Sequence, residues 1–478
     1  MSASSPAVAR PCSSSLITLL VASALFMENL DGSIIATALP QMAHSFHIRP
    51  LELSMGITSY LLTLAVFIPI SGWIADRIGV RTVFTAALAI FTGASVLCGL
   101  TDNLVEFTGA RILQGIGGAM MVPVGRLAVL RVTPKENLMR AISIITWPGL
   151  VAPVLGPPLG GFITTYSSWR WVFYLNVPLG LAGVVLAWRF ITAEREPDRR
   201  PFDVLGFVLT GVAGTSVMYA MEAIGRADTS WPAALAFLTI GLAACAAAWF
   251  HLRRSAHPMV DLSALRIKTF TVAISGGSLF RIAIGAVPFL LPLMFQVAFG
   301  MNPFQSGLLT LAIFAGNLST KLVTTQILRR VGFRRVLVFN GAFAAVTLAS
   351  MSLLTPSTPY GWILFALFVS GVARSLQFTA INTLGFADVP KHHMSGASTL
   401  SSTLGQMTMG MGVAAGTIAL RIAAWWHGHD PQTLAPADFS VAFLMVASLS
   451  VIAMVDVFSL PPGAGAHVSG HRRTGSKS

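Results

Sequence analysis

The chain has 478 residues, a formal net charge of +13, and a composition that is 54% hydrophobic and 10% charged, far below the roughly 25% charged typical of soluble domains. A soluble fold of this composition would expose too much apolar surface, and a membrane barrel would alternate apolar and polar residues in segments of about ten, which this chain does not. What remains is an all-α polytopic membrane protein whose apolar runs recur at about 20 residues, the length that crosses a hydrocarbon core about 30 Å thick. The positive balance then reads as loop charge that sets orientation, so no nucleic-acid partner is expected. Cys12, Cys98 and Cys245 are scattered and form neither a pairing pattern nor a metal motif. No metal or cofactor is therefore expected.

In chain order the expected spans are α1 15–40, α2 52–72, α3 82–101, α4 104–125, α5 142–164, α6 171–190, α7 205–223, α8 232–251, α9 270–298, α10 305–327, α11 336–354, α12 361–385, α13 397–421 and α14 439–460. The run after Arg10 continues through Asp31 to Pro40 with no cleavage site, and so reads as a retained first helix. Fourteen spans put both termini on one side. Sorting Lys and Arg by loop places twenty-three of the thirty-one on that side, and only Arg49, Arg170, Arg226 and Arg421 on the other. Such asymmetry predicts cytoplasmic termini and a multi-pass protein of the inner, cytoplasmic membrane. Arg111, Arg281, Lys321 and Arg374 fall within helices.

The loop α2–α3 reads GWIADRIGVRTVF (72–84) and the loop α10–α11 reads QILRRVGFRRVLVF (326–339). Aligned on Gly79 and Gly332, Arg77 matches Arg330 and Arg81 matches Arg334. Further on, RILQG (111–115) in α4 is echoed by RSLQF (374–378) in α12. The same order of matches predicts two six-helix halves with α7 and α8 inserted between them, a duplicated arrangement that transporters use around a midplane site. The expected organisation is a tail 1–14, a first half 15–190, a linker with two inserted helices 191–254, a second half 255–460, and a tail 461–478.

The chemistry-bearing residues begin in α1. Glu28 and Asp31 lie about one helical turn apart on one face. A charge at the bilayer centre costs about 2.5–3.5 kcal/mol on insertion scales, so such acids usually serve a function. Desolvation favours the neutral form of an acid, which gives a buried carboxylate the means to carry a coupling proton. The plainer reading is a structural acid paired with a buried cation. Arg111 is the candidate partner: it cannot lose its proton, and its approach or withdrawal would convert a conformational change into proton release. In the second half, Arg281, Lys321 and Arg374 outnumber the deep acids, and with Gln377 they are candidates for a cavity that receives an anionic or carbonyl-rich substrate. The plainer reading has them packed against backbone carbonyls or water.

The segment WPGLVAPVLGPPLGGF (147–162) would break a soluble helix. In a bundle it marks either a bend or a close-packed seam. Asp76, beside Arg77 at the membrane edge, can pair with a cation or with the start of α3. No nucleophile–base pair or metal cluster points to an enzyme, and no histidine lies deep in a span.

Together these stretches resemble the major facilitator superfamily, and within it the fourteen-helix drug:proton antiporters of the EmrB/QacA type. The similarity is carried by Gly72, Ala75, Asp76, Arg77, Gly79 and Arg81; by Arg111, Gln114, Gly115 and Gly117; by Gly156, Pro157, Gly160 and Gly161 of the antiporter motif; and by Leu30, Asp31, Leu39 and Pro40. WRWVFYLNVP (169–178) is similar to the family's entry to α6. Ser33, Ala36, Val80 and Ala152 depart from the usual Thr, Asn, basic residue and Gly. The resemblance implies the major-facilitator fold and export of amphiphilic small molecules by alternating access. It also implies proton coupling through Asp31, tuned by Arg111 and Gln114 with Glu28 nearby. The alternatives are export of an anionic metabolite or siderophore, or a non-transporting sensor. Expected partners are a small-molecule substrate, protons and the lipid bilayer, with a periplasmic adaptor and outer-membrane channel as a further candidate.

Overall fold

A computed structural model describes residues 11–134, 137–192, 201–225, 230–390, 393–428, 434–461 and 463–465. Among these residues there is no strand. Thirteen helices are long and apolar enough to cross a membrane: α1 (Ser15–Thr37), α2 (Pro50–Ile78), α3 (Val80–Leu100), α4 (Leu104–Val132), α5 (Arg140–Tyr166), α6 (Trp171–Phe190), α7 (Val204–Gly225), α8 (Trp231–Arg254), α9 (Lys268–Ala298), α11 (Phe333–Leu353), α12 (Tyr360–Ala387), α13 (Met394–Trp426) and α14 (Pro436–Ser459). The fourteenth, α10, is the pair Pro303–Lys321 and Thr324–Val331, bent by 58° at its break.

The expected boundaries need correction in five places. Helices α2 and α4 run on to Ile78 and Val132, so Arg77, Arg126 and Arg131 are helical residues. Helix α1 ends near Thr37, and Leu39–Phe46 forms a separate short helix with Pro40 in its first turn, where a proline's missing N–H costs nothing. Helix α10 is broken rather than continuous. Helix α13 runs five residues past 421, so Arg421 is a helical residue and not a loop cation.

The packing repeats between the halves. In the first, α1 packs on α4, α5 and α6, α3 on α4 and α6, and α2 on α4. In the second, α9 packs on α12, α13 and α14, α11 on α12 and α14, and α10 on α12. Each pair maps onto its counterpart eight helices later. The two largest contacts between halves, α5 with α10 and α2 with α13, also exchange under that mapping. Helix α7 lies against both α2 and α13, with α8 outside it. The turn residues obey the same repeat: Gly79 (φ 103°) and Gly332 (φ 82°) each stop one helix and start the next, in a region of φ that only glycine enters cheaply.

The apolar cores show how the halves meet. At the end where α1 begins and α14 finishes, called the terminal end, the first half has its own core around Val21, Phe84, Phe91 and Val124. The second has a separate one around Phe280, Phe333, Leu337 and Leu384. At the distal end one cluster joins both, with Leu39, Phe107 and Phe173 packed with Phe289, Phe295 and Phe443. The halves are therefore fused distally and packed apart at the terminal end. The seam α5–α10 reaches backbone contact there: a Cβ on Gly161 would sit 2.3 Å from the Pro303 carbonyl oxygen, and one on Gly307 2.3 Å from that of Pro157. Hydrogen bonds from Gln296 Nε2 to the Thr37 carbonyl (3.0 Å) and from the Phe304 amide to Thr165 Oγ1 (3.1 Å) cross the same end.

Candidate functional site

Asp31 stands two turns from the distal end of α1 and is 1% exposed. Its Oδ2 accepts from Arg111 Nη1 at 2.7 Å, and its Oδ1 accepts from Gln114 Nε2 at 2.9 Å and from Asn176 Nδ2 at 3.0 Å. Four helices converge on this carboxylate. Helix α4 supplies Arg111 and Gln114, one turn apart, and α6 supplies Asn176. Helix α3 supplies Ser95, whose hydroxyl accepts from Gln114 (2.8 Å) and Asn176 (3.3 Å). Arg111 also donates to Gln114 Oε1 (2.5 Å) and to the Gly56 carbonyl (3.3 Å). Its guanidinium lies 4.1 Å from the centre of the Tyr60 ring. Neither Asp31 nor Arg111 exposes any of its side chain.

This geometry decides what the cluster can do. A charged carboxylate is sustained in a dry site only when it is paired and hydrogen-bonded, and here both oxygens are occupied by donors. Through these hydrogen bonds one carboxylate ties α1 to α4 and α6. Glu28 lies one turn closer to the terminal end, and its Oε2 is buried with no hydrogen-bond partner among the described residues. The two acids thus occupy contrasting settings.

The loop motif gathers at the terminal end. Asp76 Oδ1 is 3.4 Å from Arg131 Nη2 of α4, so its partner is a cation, as one of the two expectations had it. Arg77 stacks 5.3 Å from Trp73, and Arg81 4.2 Å from Trp188 of α6. A Cβ on Gly72 would meet nothing within 4 Å. The α5 motif serves packing on two sides. Gly156 and Gly160 press on Ser33, Ile34 and Thr37 of α1, and Gly161 presses on α10. Pro157 presents its carbonyl to Gly307, within a helix that stays continuous from Leu138 to Tyr166.

In the second half, Arg281 Nη2 donates to Asn382 Oδ1 (2.6 Å) and lies 5.8 Å from the Phe378 ring. Lys321 Nζ donates to Thr379 Oγ1 (2.6 Å). Both cations therefore converge on the same stretch of α12 that carries Arg374. Arg281 and Arg374 each bury one Nη1 with no partner among the described residues, and no carboxylate is described as an ion-pair partner of any of the three. Gln377 is spent on α11: it donates to the Leu337 carbonyl (3.1 Å) and accepts from Asn340 Nδ2 (3.1 Å). Gln114 and Gln377 thus do the same job, tying α4 to α3 and α12 to α11.

Sequence reasoning missed Asn176, Ser95 and Tyr60. Asn176 stood inside the stretch resembling the family's entry to α6, and an isolated amide in an apolar run was the available signal. It also missed Glu222 as a structural residue. Its carboxylate in α7 accepts from Ser54 and, at 3.5 Å, from Thr58 of α2, while Arg421 of α13 donates to the Ile224 carbonyl. Among the described residues no group of three or more His, Cys, Asp or Glu is placed to hold a metal.

Known proteins resemble the chain in sequence or in architecture. The profile of the Major Facilitator Superfamily matches residues 21–413. The multidrug resistance protein MdtD of Pectobacterium carotovorum is 38% identical over 403 residues, covering 84% of this chain and 86% of that one. MdtD of Escherichia coli is 36% identical over 434 residues, covering 90% and 91%. Among solved structures, an auto-inhibited peptide transporter of the POT family superimposes with a TM-score of 0.65 at 15% identity, over 98% of this chain and 99% of that one. The nucleoside transporter NupG superimposes with a TM-score of 0.59 at 14% identity, over 93% and 99%. With a matching profile over most of its length, full-length relatives and a duplicated helical architecture, the chain belongs to the Major Facilitator Superfamily.

Proposed function

We propose that this protein is a proton-coupled exporter of amphiphilic small molecules, of the fourteen-helix drug:proton antiporter type, working by alternating access of its two halves. The observation that carries the reading is the enclosed Asp31–Arg111–Gln114–Asn176 cluster, a protonatable group held by donors from other helices. The names of the MdtD relatives support multidrug export. The loop charges support cytoplasmic termini in the inner membrane, which puts the apolar cluster shared by both halves towards the far side. In this reading Asp31 takes its proton when the far side opens, and Glu28 passes it towards the cytoplasm. Gly72, Asp76, Arg77, Gly79 and Arg81 govern closure of the cytoplasmic end, and Gly156, Pro157, Gly160 and Gly161 keep the opposite seam tight. The expected boundaries 15–190, 191–254 and 255–460 are the corresponding units, and a periplasmic adaptor with an outer-membrane channel is a candidate assembly.

One proton moving down 100 mV supplies about 2.3 kcal/mol, enough for a roughly fifty-fold gradient of a neutral substrate exchanged one for one. The test is efflux from proteoliposomes under an imposed pH gradient, wild type against Asp31→Asn, over a mixed panel of cations and anions. Gradient-driven transport abolished by Asp31→Asn is expected; equal transport in both overturns the assignment. A second reading, export of an anionic metabolite or siderophore, is favoured by the convergence of Arg281, Lys321 and Arg374 on one stretch of α12 without a described carboxylate partner. Preference for anions in the same panel would select it.

A further inference from the structure

A cavity of about 770 Å³ opens at the terminal end between α2, the approach to α7, the end of α8 and the segment 255–266 that leads to α9. Its size falls within the roughly 300–1,000 Å³ of small-molecule sites. It lies outside the Asp31 cluster. Its wall carries two indoles, Trp73 of α2 and Trp249 of α8, and two guanidiniums, Arg253 and Arg266; tryptophan favours the membrane–water interface. Two aspartates also line it, and each is already committed. Asp203 Oδ1 lies 2.7 Å from His251 Nε2 and accepts from the Gly206 amide (2.8 Å), while its Oδ2 accepts from the Met259 amide (3.1 Å). Asp261 accepts from the amide and the hydroxyl of Ser263 (2.8 Å each) and lies 3.5 Å from His393. Burial opposes ionisation of both aspartates, but these hydrogen bonds outweigh it and hold both carboxyls below the usual carboxylate range.

The arginines are not so committed. Arg253 lies 5.3 Å from the Trp249 ring, and neither it nor Arg266 has an ion pair or hydrogen bond with any described residue. Two arginines without a described ion-pair partner, in a cavity whose carboxylates are engaged by other groups and whose wall also holds two indoles, match what an anionic phosphate on an apolar tail requires. We propose that this cavity binds the phosphate headgroup of an anionic phospholipid from the leaflet at the terminal end, with Arg253 and Arg266 on the phosphate and the acyl chains passing Trp73 and Trp249. The leaflet is the cytoplasmic one in the orientation proposed above. A lipid seated there bridges the first half, the inserted pair and the segment that leads into the second half.

Native mass spectrometry of the full chain released from nanodiscs tests this, in phosphatidylcholine doped with phosphatidylglycerol. Wild type is expected to retain one phosphatidylglycerol at least about tenfold more than phosphatidylcholine. R253Q/R266Q should lose that preference, and R253K/R266K should retain much of it. Both arginines are exposed, so thermal unfolding should be unchanged and a lost signal does not mean lost fold. Arg254→Gln, one residue outside the cavity wall, should bind as wild type. Undiminished retention by R253Q/R266Q overturns the proposal. So does an equal loss in Arg254→Gln, which would mean diffuse surface charge. Competition by glycerol phosphate as strong as by the lipid overturns the lipid assignment in favour of a soluble phosphate. None of these readouts requires transport, so failure here and failure of the exporter reading are separable.

Discussion

Cutting the Asp31–Arg111 pair is the perturbation with the sharpest expected consequence. The two charges meet at 2.7 Å with neither side chain exposed. Removing one partner from a buried pair typically costs about 3–5 kcal/mol, because the other is left as an uncompensated buried charge, whereas replacing both is often close to neutral. In Asp31→Asn, Arg111 keeps Gln114 Oε1, the Gly56 carbonyl and the face of Tyr60, which places the loss near the lower end, about 3 kcal/mol. Arg111→Gln strands the carboxylate with two amide donors and should cost a similar amount. In the double variant the two costs should not add. The assay is reversible unfolding in mixed detergent micelles for the wild type, both single variants and the double variant. The expected coupling energy is about 2–3 kcal/mol. A coupling below about 0.5 kcal/mol, the level seen between independent sites, would refute the argument that the pair is mutually dependent in a dry site. Transport adds a second signature. Asp31→Asn should still exchange substrate down its own gradient while losing the response to an imposed pH gradient. Loss of both together would mean that the acid holds the fold and not the proton.

Other expectations follow from separate parts of the structure. Gly161→Ala places a Cβ 2.3 Å from the Pro303 carbonyl oxygen, so the α5–α10 seam must part at an overpacking cost of about 1–3 kcal/mol. Cysteine labelling on the far side should rise in that variant. Gly72→Leu meets open space here and should leave thermal stability unchanged while slowing turnover, because the terminal end must close over that position; unchanged turnover would count against the closure role. Glu222→Ala removes the carboxylate that Ser54 and Thr58 share while both hydroxyls keep backbone carbonyl acceptors, and should destabilise by about 0.5–1.5 kcal/mol, read as thermal unfolding. Asp203 has a folded-state pKa below the ordinary carboxylate value of about 3.9. Its stabilisation of the α7–α8 entry is therefore present above that value and lost as pH falls through the lower folded value. Hydrogen exchange at the Gly206 and Met259 amides, compared with an Asp203→Asn control, should show that anchor intact at pH 5 and failing only below about pH 4.

The sequence disclosed the fold more fully than the site, for physical reasons that differ by residue. Apolar run length is dictated by bilayer thickness, so the fourteen spans were legible one at a time. The repeat was legible because Gly79 and Gly332 are required by positive φ, and that requirement survives where other side chains have diverged. Asp31 and Arg111 stood out because charge is costly in an apolar run. Asn176 and Ser95 did not, because a single amide or hydroxyl in a span is cheap and common, and the partners of Asn176 lie 81 or more residues away in the chain. Arg421 was misplaced because a charged residue less than two turns before a polar stretch looks the same at the end of a helix as beyond it. The Ile224 carbonyl and the Trp231 ring, on the two inserted helices, show why α13 continues past it.

The distance along the chain between Asp31 and Arg111, eighty residues, bears on how the protein is made. Helix α1 leaves the ribosome before α4 exists, and each must be accepted by the insertion machinery alone. Each carries a charge that costs about 2.5–3.5 kcal/mol at the centre of a lone helix. The apolar residues around Asp31 must offset that cost during the interval, or α1 must wait beside the insertion channel until α4 arrives. Gln114 arrives with Arg111 on α4 and Asn176 comes later still, so the pocket assembles in the order α1, α3, α4, α6. Truncated chains ending between α1 and α4 should accordingly be the species most prone to lose α1 from the membrane and to be degraded.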